Sequence, residues 1–339
     1  MAAVRTGVAF VGAGIVAEMH GRAVTGNENA EFIGVYDPQG DKCSAVAARF
    51  SGRPFRSLEE LLAHPRVDAV HILTPTQDHV PTALRCLGAR KHVLVEKPVA
   101  HTHAEIDDLK SAAAHAGRVC MPAHNYIYVP ALRRARQLIE TRKLGQISSL
   151  WVIYNIFHPE DVAALYGGVL RAVCIHHAYS LLYLLGRPTR LVALATRVQY
   201  KSLQCEEQAI ISCEMSNGAI ANLWCSFAAN DPTSDPWTVV YKLLGTNGGL
   251  NYSWNESQFR DDGGPAWGMP CYADSFAGEI DYFLEQCILR NRAPLSSLED
   301  ASDALSIVEA AEACIRDGGV ARAIHYRDHN QKCEESFHA

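Results

Sequence analysis

The sequence predicts an α/β chain with two parts. An N-terminal Rossmann doubly wound parallel sheet precedes a C-terminal α/β domain with an open, mostly antiparallel sheet. Three observations carry this. Near-continuous apolar runs alternate with helical patterns through the first third, as expected for βα units around a buried parallel sheet. A glycine-rich turn, Gly12-Ala13-Gly14-Ile15-Val16-Ala17, lies between the first apolar run and the first helical pattern. The second half changes to strand-like runs separated by hairpin-type turns, Ser216-Asn217-Gly218 and Asn247-Gly248-Gly249.

The elements follow in order. Residues 8–11 read as a buried strand and 15–24 as a helix. A strand at 32–36 precedes helices at 42–50 and 57–62. The strand at 69–73 ends at Thr74-Pro75-Thr76, and a helix follows at 79–87. The strand at 92–95 ends at Glu96-Lys97-Pro98, which puts Lys97 at the tip of the fourth parallel strand. Thr102 with Glu105 three residues on is a capping-box pattern. The strand at 119–123 closes this half. Beyond a helix at 132–141, strands are expected at 148–157, 191–198, 208–215, 219–227 and 237–244. A helix at 176–185 is inserted after the first of these, and helices at 276–290 and 301–316 close the chain. The expected domain ranges are 1–124 and 125–339.

The turn fits G-x-G-x-x-A, a variant of the dinucleotide fingerprint. Gly12 allows the sharp turn, Gly14 lets a pyrophosphate approach the backbone, and Ala17 is small enough for close helix–strand packing. The helix start at Ala13, Ile15 and Val16 offers free N–H groups and a partial positive charge to phosphates. Asp37 ends the second strand and suits a ribose 2′-hydroxyl while repelling a 2′-phosphate. With no arginine beside it in sequence, NAD is expected over NADP. The Gly12–Gly14 turn, Asp37, Thr74–Thr76, Glu96–Pro98 and His124–Asn125 all fall at strand ends, so they converge on the rim where such sheets bind ligands.

With 339 residues and 48% hydrophobic content, the chain can bury two cores. The net charge of −6 and the lack of a basic stripe argue against nucleic acid. The absence of an 18-residue apolar run argues against a membrane span, and a cytoplasmic location is expected. Eleven cysteines without a C-x-x-C pair read as reduced, buried residues. His124, His158, His176 and His177 lack ligand spacing, so no metal is expected.

With these motifs in place, the chain resembles the Gfo/Idh/MocA oxidoreductase family over nearly its whole length. The resemblance rests on the glycine turn, Thr74-Pro75-Thr76-Gln77-Asp78-His79 and Glu96-Lys97-Pro98. It continues through Asn125-Tyr126-Ile127-Tyr128-Val129-Pro130, Gly167-Gly168-Val169-Leu170, and His176 ten residues before Gly186. It implies a pyridine nucleotide, a sugar, cyclitol or sugar-acid substrate, and association of copies through the open sheet as homodimers or homotetramers. It also implies cofactor contacts from Pro75, Thr76, His79, Glu96 and Asn125, in addition to the turn, Asp37 and Thr74.

Hydride transfer from an alcohol needs a group for the hydroxyl proton and a charge to steady the alkoxide. Lys97 can do both, because burial lowers an amine's pKa. The Lys97–Pro98 bond is a candidate for the cis form. The resemblance gives Lys97 the catalytic role and His176 the acid–base partnership. It also expects an aspartate and a glycine where this chain has Ala172 and Cys174. Arg171 and His177 beside that departure are candidates for substrate contact, with Tyr126 (where the family often has arginine) and Tyr154. Trp151, Phe157, Tyr166 and Tyr179 are further aromatics near the expected substrate face, of which Trp151 and Phe157 are read in the first place as sheet core. Three functions stay open: net hydride transfer, transient oxidation by bound NAD that enables elimination or glycosidic cleavage, and nucleotide binding without catalysis.

Overall fold

Apolar strands that alternate with amphipathic helices can bury both faces only in a parallel sheet with helices on each side. The computed structural model, which describes residues 5–230, 237–254 and 270–328, has that sheet. Its strands are β1 (Thr6–Val11), β2 (Ala30–Tyr36), β3 (Arg53–Pro54), β4 (Ala69–Ile72), β5 (His92–Val95) and β6 (Cys120–Pro122). They lie in the order β3-β2-β1-β4-β5-β6, and every pairing is parallel. The connecting helices are α1 (Val16–Gly26), α2 (Gly40–Arg49), α3 (Leu58–Ala63), α4 (His79–Gly88) and α5 (His103–Ala116). Ser57 caps α3, and Thr102 and Glu105 form the expected capping box at α5. The Lys97–Pro98 bond is cis. Lys97 follows the fifth strand in chain order, not the fourth, because two-residue β3 is too short to show any periodicity.

Pro130 at the first turn opens α6 (Pro130–Glu140), and the second sheet follows. Its strands are β7 (Ile147–Ile156), β8 (Pro188–Thr196), β9 (Gln208–Met215), β10 (Ile220–Ser226), β11 (Trp237–Gly245), β12 (Gly248–Ser253) and β13 (Arg322–Ala323). The order is β12-β11-β7-β10-β9-β8-β13; β7 and β10 run parallel and the other pairs antiparallel. β12 was not anticipated, since its glycines and polar residues carry little strand signal. After the short α7 (Glu160–Ala163), the chain turns through Gly167 and Gly168, both at positive φ. A π-helical turn, Leu170–Cys174, then leads into α8 (Ile175–Leu185). α9 (Pro270–Asp281) continues as a π-helical stretch, Tyr282–Leu289, and α10 (Leu298–Arg316) follows.

The inner face of the second sheet is buried along Leu150, Val152, Leu223 and Leu243. The outer face is not. Trp151 is 45% and Trp224 36% exposed there. Trp151 therefore points away from the inner face and belongs neither to the sheet core, the reading favoured from sequence, nor to the substrate side, because strand residues alternate between faces.

Candidate active site

The turn at Gly12 is built as its sequence requires. Gly12 has φ 104°, where glycine alone is unstrained, and a Cβ there would lie 2.6 Å from the Leu73 backbone. A Cβ on Gly14, in contrast, would meet no protein atom within 4 Å, so its face opens onto free space. No side chain caps the start of α1, so the positive end of the helix is not covered by a side chain, although the Ala17 and Glu18 amides make short-range bonds to Gly14 and Ile15. Ile15 is exposed, Val16 half-buried and Ala13 buried. The Asp37 carboxylate accepts from the amides of Ala13 (2.8 Å) and Gln39 (2.8 Å), which fixes it at the turn.

Asp37 is not clear of arginines. Arg53 and Arg56 border the same hollow, brought there by β3 and the loop after it. Arg53 is engaged: it pairs with Glu60 and lies over the Phe55 ring. Asp37 thus has arginines near it in space, although none lies beside it in sequence.

At the next strand end, Thr74 buries its Oγ1 without a protein partner, while Pro75 is exposed and Thr76 half-buried. His79 differs from expectation. Its Nδ1 lies 2.9 Å from the Pro98 carbonyl and its Nε2 2.8 Å from the Thr74 carbonyl. Both nitrogens face backbone carbonyls, and the neutral ring favoured by burial donates to one of them, so the side chain is packed between two loops and does not face a cofactor.

Glu96 and Lys97 end β5. Glu96 is buried; one oxygen accepts from the Lys97 amide (3.1 Å) and the other faces His20 Nε2 (3.1 Å). Burial pushes the carboxyl up, but the His20 hydrogen bond and charge, with Lys97, outweigh it and hold Glu96 below its ordinary range. Lys97 is half-buried, and burial lowers its amine while the Glu96 charge partly restores it. Its Nζ donates to the Ala172 carbonyl at 3.1 Å. That carbonyl lies within the π-helical turn, where the i→i−4 ladder is interrupted. A backbone oxygen thus holds the ammonium at the position where a carboxylate was expected.

His176 is buried on the first turn of α8, and its Nδ1 lacks a partner. Burial first, then the charges of Lys97, His124 and His177, lower its pKa well below the ordinary value. Its ring stacks on Tyr126 at 4.4 Å, and His124 meets it edge-on at 5.3 Å. Asn125 donates to Ser275 Oγ at 2.7 Å, which links this strand end to α9. Tyr154 is buried on the sheet's inner face, 6.4 Å from Tyr126 between centroids. Lys97, His176, Tyr126 and Tyr154 are therefore neighbours, linked by the Lys97 charge on His176 and by ring contacts.

Two candidates do not present free groups to this cluster. Arg171 is held by Glu312 through Nε (2.6 Å) and Nη2 (2.9 Å), so no guanidinium is spare for an anionic substrate. Glu312 lies 141 residues away and could not be paired by reading the chain. His177 points to the second sheet, between Tyr154 and Tyr241, with no exposure at all. Neighbours on a helix diverge by about 100°, so His176 and His177 part ways. Burial lowers His177 to about 3.

Sequence reading also missed His20, His71, Ser275 and Glu279. His71 was open to notice as a lone polar residue in an apolar strand. The others come from elements far apart in the chain.

Two sequence patterns match. Residues 6–124 fit "Oxidoreductase family, NAD-binding Rossmann fold", and residues 132–251 fit "GFO/IDH/MocA C-terminal domain". The chain belongs to the Gfo/Idh/MocA oxidoreductase family. One relative, glucose-6-phosphate 3-dehydrogenase of Bacillus subtilis (strain 168), is 31% identical over 148 residues, 44% of this chain and 42% of that protein. The match thus spans less than half the relative's length. Myo-inositol dehydrogenase from Corynebacterium glutamicum superposes with a TM-score of 0.83 at 18% identity, covering 96% of this chain and 100% of the other. GenD2 from gentamicin A biosynthesis, solved in complex with NAD, superposes with a TM-score of 0.82 at 23% identity, covering 96% and 98%. At these identities the structures show the shared fold.

The residues present fit the family's nucleotide. Gly14 opens onto space, the α1 amides are uncapped, and the buried Thr74 hydroxyl lacks a protein partner. Among the described residues no His, Cys, Asp and Glu cluster is arranged to hold a metal ion. No single described helix is long and apolar enough to cross a membrane.

Proposed function

We propose that this protein is an NAD-dependent oxidoreductase that moves a hydride between the nicotinamide and a hydroxyl-bearing carbon of a sugar, cyclitol or sugar acid. The observation that carries the reading is Lys97. A half-buried amine at a Rossmann strand end is tethered to Ala172 and acts electrostatically on His176. Residues 1–124 would hold the nucleotide and 125–339 would complete the substrate pocket. Gly12, Ala13, Gly14, Ile15 and Val16 would receive the pyrophosphate, and Asp37 the adenosine ribose. Thr74, Pro75, Thr76, Glu96 and Asn125 would border the rest.

Bound NAD supplies a hydride acceptor at this rim. The chain's own residues manage the proton. Lys97 hydrogen-bonds the reacting oxygen and, with its pKa lowered, takes the hydroxyl proton as the carbonyl forms. His176, shifted toward its neutral form, is placed to accept or donate a proton beside Lys97. Tyr126 stacks on the imidazole and fixes its plane. Tyr154 closes the pocket with an apolar ring that suits a sugar face.

Absorbance at the NADH band, recorded with a panel of cyclitols, aldoses and sugar acids against NAD and NADP, tests this. Net NADH formation with at least one polyol, preferred over NADPH, is expected. Product without net NADH would favour transient oxidation, and nucleotide binding with no turnover on any substrate would favour a non-catalytic role.

We further propose that two copies associate through the outer face of the second sheet, giving a homodimer or homotetramer. Pairing sets Val240, Ile153, Trp224, Ile210 and Leu194 in one apolar row across five strands. Leu194 is 61% and Trp224 36% exposed, and together they form the kind of contiguous apolar patch that marks an interface. Light scattering after size exclusion should give at least twice the chain mass, falling to one chain in Trp224→Glu; a monomeric wild type would refute association.

A further inference from the structure

Next to Lys97, three buried groups form a line that hydride transfer does not itself require. His71 Nδ1 lies 3.0 Å from His20 Nδ1, and His20 Nε2 lies 3.1 Å from Glu96 Oε1. The histidines have no solvent exposure. His71 stacks on Phe10, and His20 meets Phe10 and Phe276 edge-on. Such sites are costly for polar groups unless they are hydrogen-bonded.

The bonding pattern has one constraint. A carboxylate oxygen only accepts, so His20 Nε2 carries a proton. His71 is kept neutral by burial and by His20, so a single hydrogen lies between the two Nδ1 atoms. Whichever ring donates it, His20 still donates to Glu96. His71 therefore fixes the orientation of His20, and His20 supplies Glu96 with a buried donor.

A second carboxyl makes this arrangement consequential. Glu279 of α9 is fully buried beside the His124 backbone, with no well-formed hydrogen bond to either oxygen. Burial and the Glu96 charge push it well above the carboxylate range, toward its neutral form. Two carboxyls thus share one buried region, and their surroundings shift them in opposite directions, Glu96 toward the charged form and Glu279 toward the neutral one.

We propose that His20 and His71 are positioning residues that keep Glu96, and not Glu279, as the charged carboxyl beneath Lys97, and so set the pH at which Lys97 releases its proton. This rests on the reading of Lys97 as the group that meets the substrate.

The other titratable groups facing these two do not provide that charge. Glu96 is also faced by His79 of α4, Tyr272 of α9 and Tyr166. Lys97 is also faced by His124, His158 and His176. Burial moves the tyrosines up and the histidines down, toward their neutral forms. Loss of the His20 donor lets Glu96 take up a proton, and Lys97 then loses the anion that holds its pKa up.

The test is the titration of Lys97 itself. Competitive acetylation of the full-length protein with acetic anhydride across pH, with the Lys97 peptide quantified by mass spectrometry, reads it without a substrate. In His20→Leu the Lys97 midpoint should fall by about one to three pH units, the range for loss of an adjacent opposite charge. His71→Leu should shift it the same way by less. This variant places a leucine in an otherwise apolar strand, so it carries the test should His20→Leu not fold. His20→Gln should restore the midpoint, because the amide offers Glu96 an N–H and His71 a carbonyl. If the polyol panel yields turnover, the acidic limb of kcat/KM should move with the labelling midpoint. An unchanged midpoint in the folded leucine variants, or no recovery in His20→Gln, overturns the proposal. Labelling is read without turnover, so failure of the dehydrogenase reading would be seen separately, as Lys97→Met that still turns over.

Discussion

Lys97→Met is expected to lower turnover by about 10²–10⁴-fold, the usual worth of a positioned proton-transfer group, while NAD affinity stays close to that of the unsubstituted protein. Methionine nearly matches the length of the lysine stem, so packing at the end of β5 is largely kept. What goes is the ammonium, its bond to the Ala172 carbonyl and its capacity to take a proton. The glycine turn and Asp37, proposed to hold the pyrophosphate and ribose, lie at other strand ends, so binding should survive. Lys97→Arg separates two roles of the amine. A guanidinium stays charged throughout the accessible pH range. If only a charge beside the alkoxide were needed, arginine would recover much of the rate; if the proton must leave through the amine, it would not. We expect little recovery.

The pH dependence has a definite sign. Burial lowers the Lys97 pKa, so the neutral amine becomes available below the ordinary lysine range. Alcohol oxidation, which needs that neutral amine, should rise with pH through the lowered value. Carbonyl reduction, which needs the ammonium, should fall over the same interval. Steady-state rates with and without Lys97, together with NAD titration by protein fluorescence, check these outcomes. Undiminished turnover in Lys97→Met would falsify the catalytic assignment.

Local features were legible in the sequence. The Gly12–Gly14 turn, Asp37 at the end of β2 and the Thr102 capping box are each set by residues within a few positions of one another. Strands of the first sheet announced themselves by apolar runs, and β9 was located to the residue. Convergence of strand ends on one rim followed from the parallel topology alone. Features that depend on distant partners were not legible. Arg53 and Arg56 reach the Asp37 hollow only because β3 pairs with β2. Arg171 looked free until Glu312 of α10 came to meet it. His177 looked like a site residue until the direction of α8 was known. The π-helical turn at Leu170–Cys174 has no sequence period of its own, so the Ala172 carbonyl could not be foreseen as the partner of Lys97. The departure at Ala172 was visible; what compensates for it was not.

The two glycines of the turn should respond differently to the same small change. In Gly12→Ala, the new methyl would sit 2.6 Å from both the carbonyl carbon and oxygen of Leu73. Those are backbone atoms next to β4, the strand paired with β1 on that side. They cannot swing aside as a side chain would. The residue would also be a non-glycine at φ 104°, itself a strained conformation costing about 1–3 kcal/mol. Either the β1–β4 rim opens or the turn moves, and the turn carries the Ala13 amide that Asp37 accepts from. Gly12→Ala should therefore lose both stability, by about 2–4 kcal/mol in denaturant unfolding, and most of its NAD affinity. Gly14→Ala meets no protein atom within 4 Å and is not at positive φ. Its stability should be unchanged without nucleotide. Its methyl instead projects into the open space where a pyrophosphate would lie against the backbone, so NAD affinity alone should fall. Equal stability losses in the two variants would mean that Gly14 is needed for the turn. Intact NAD affinity in Gly14→Ala would mean that the phosphates lie elsewhere.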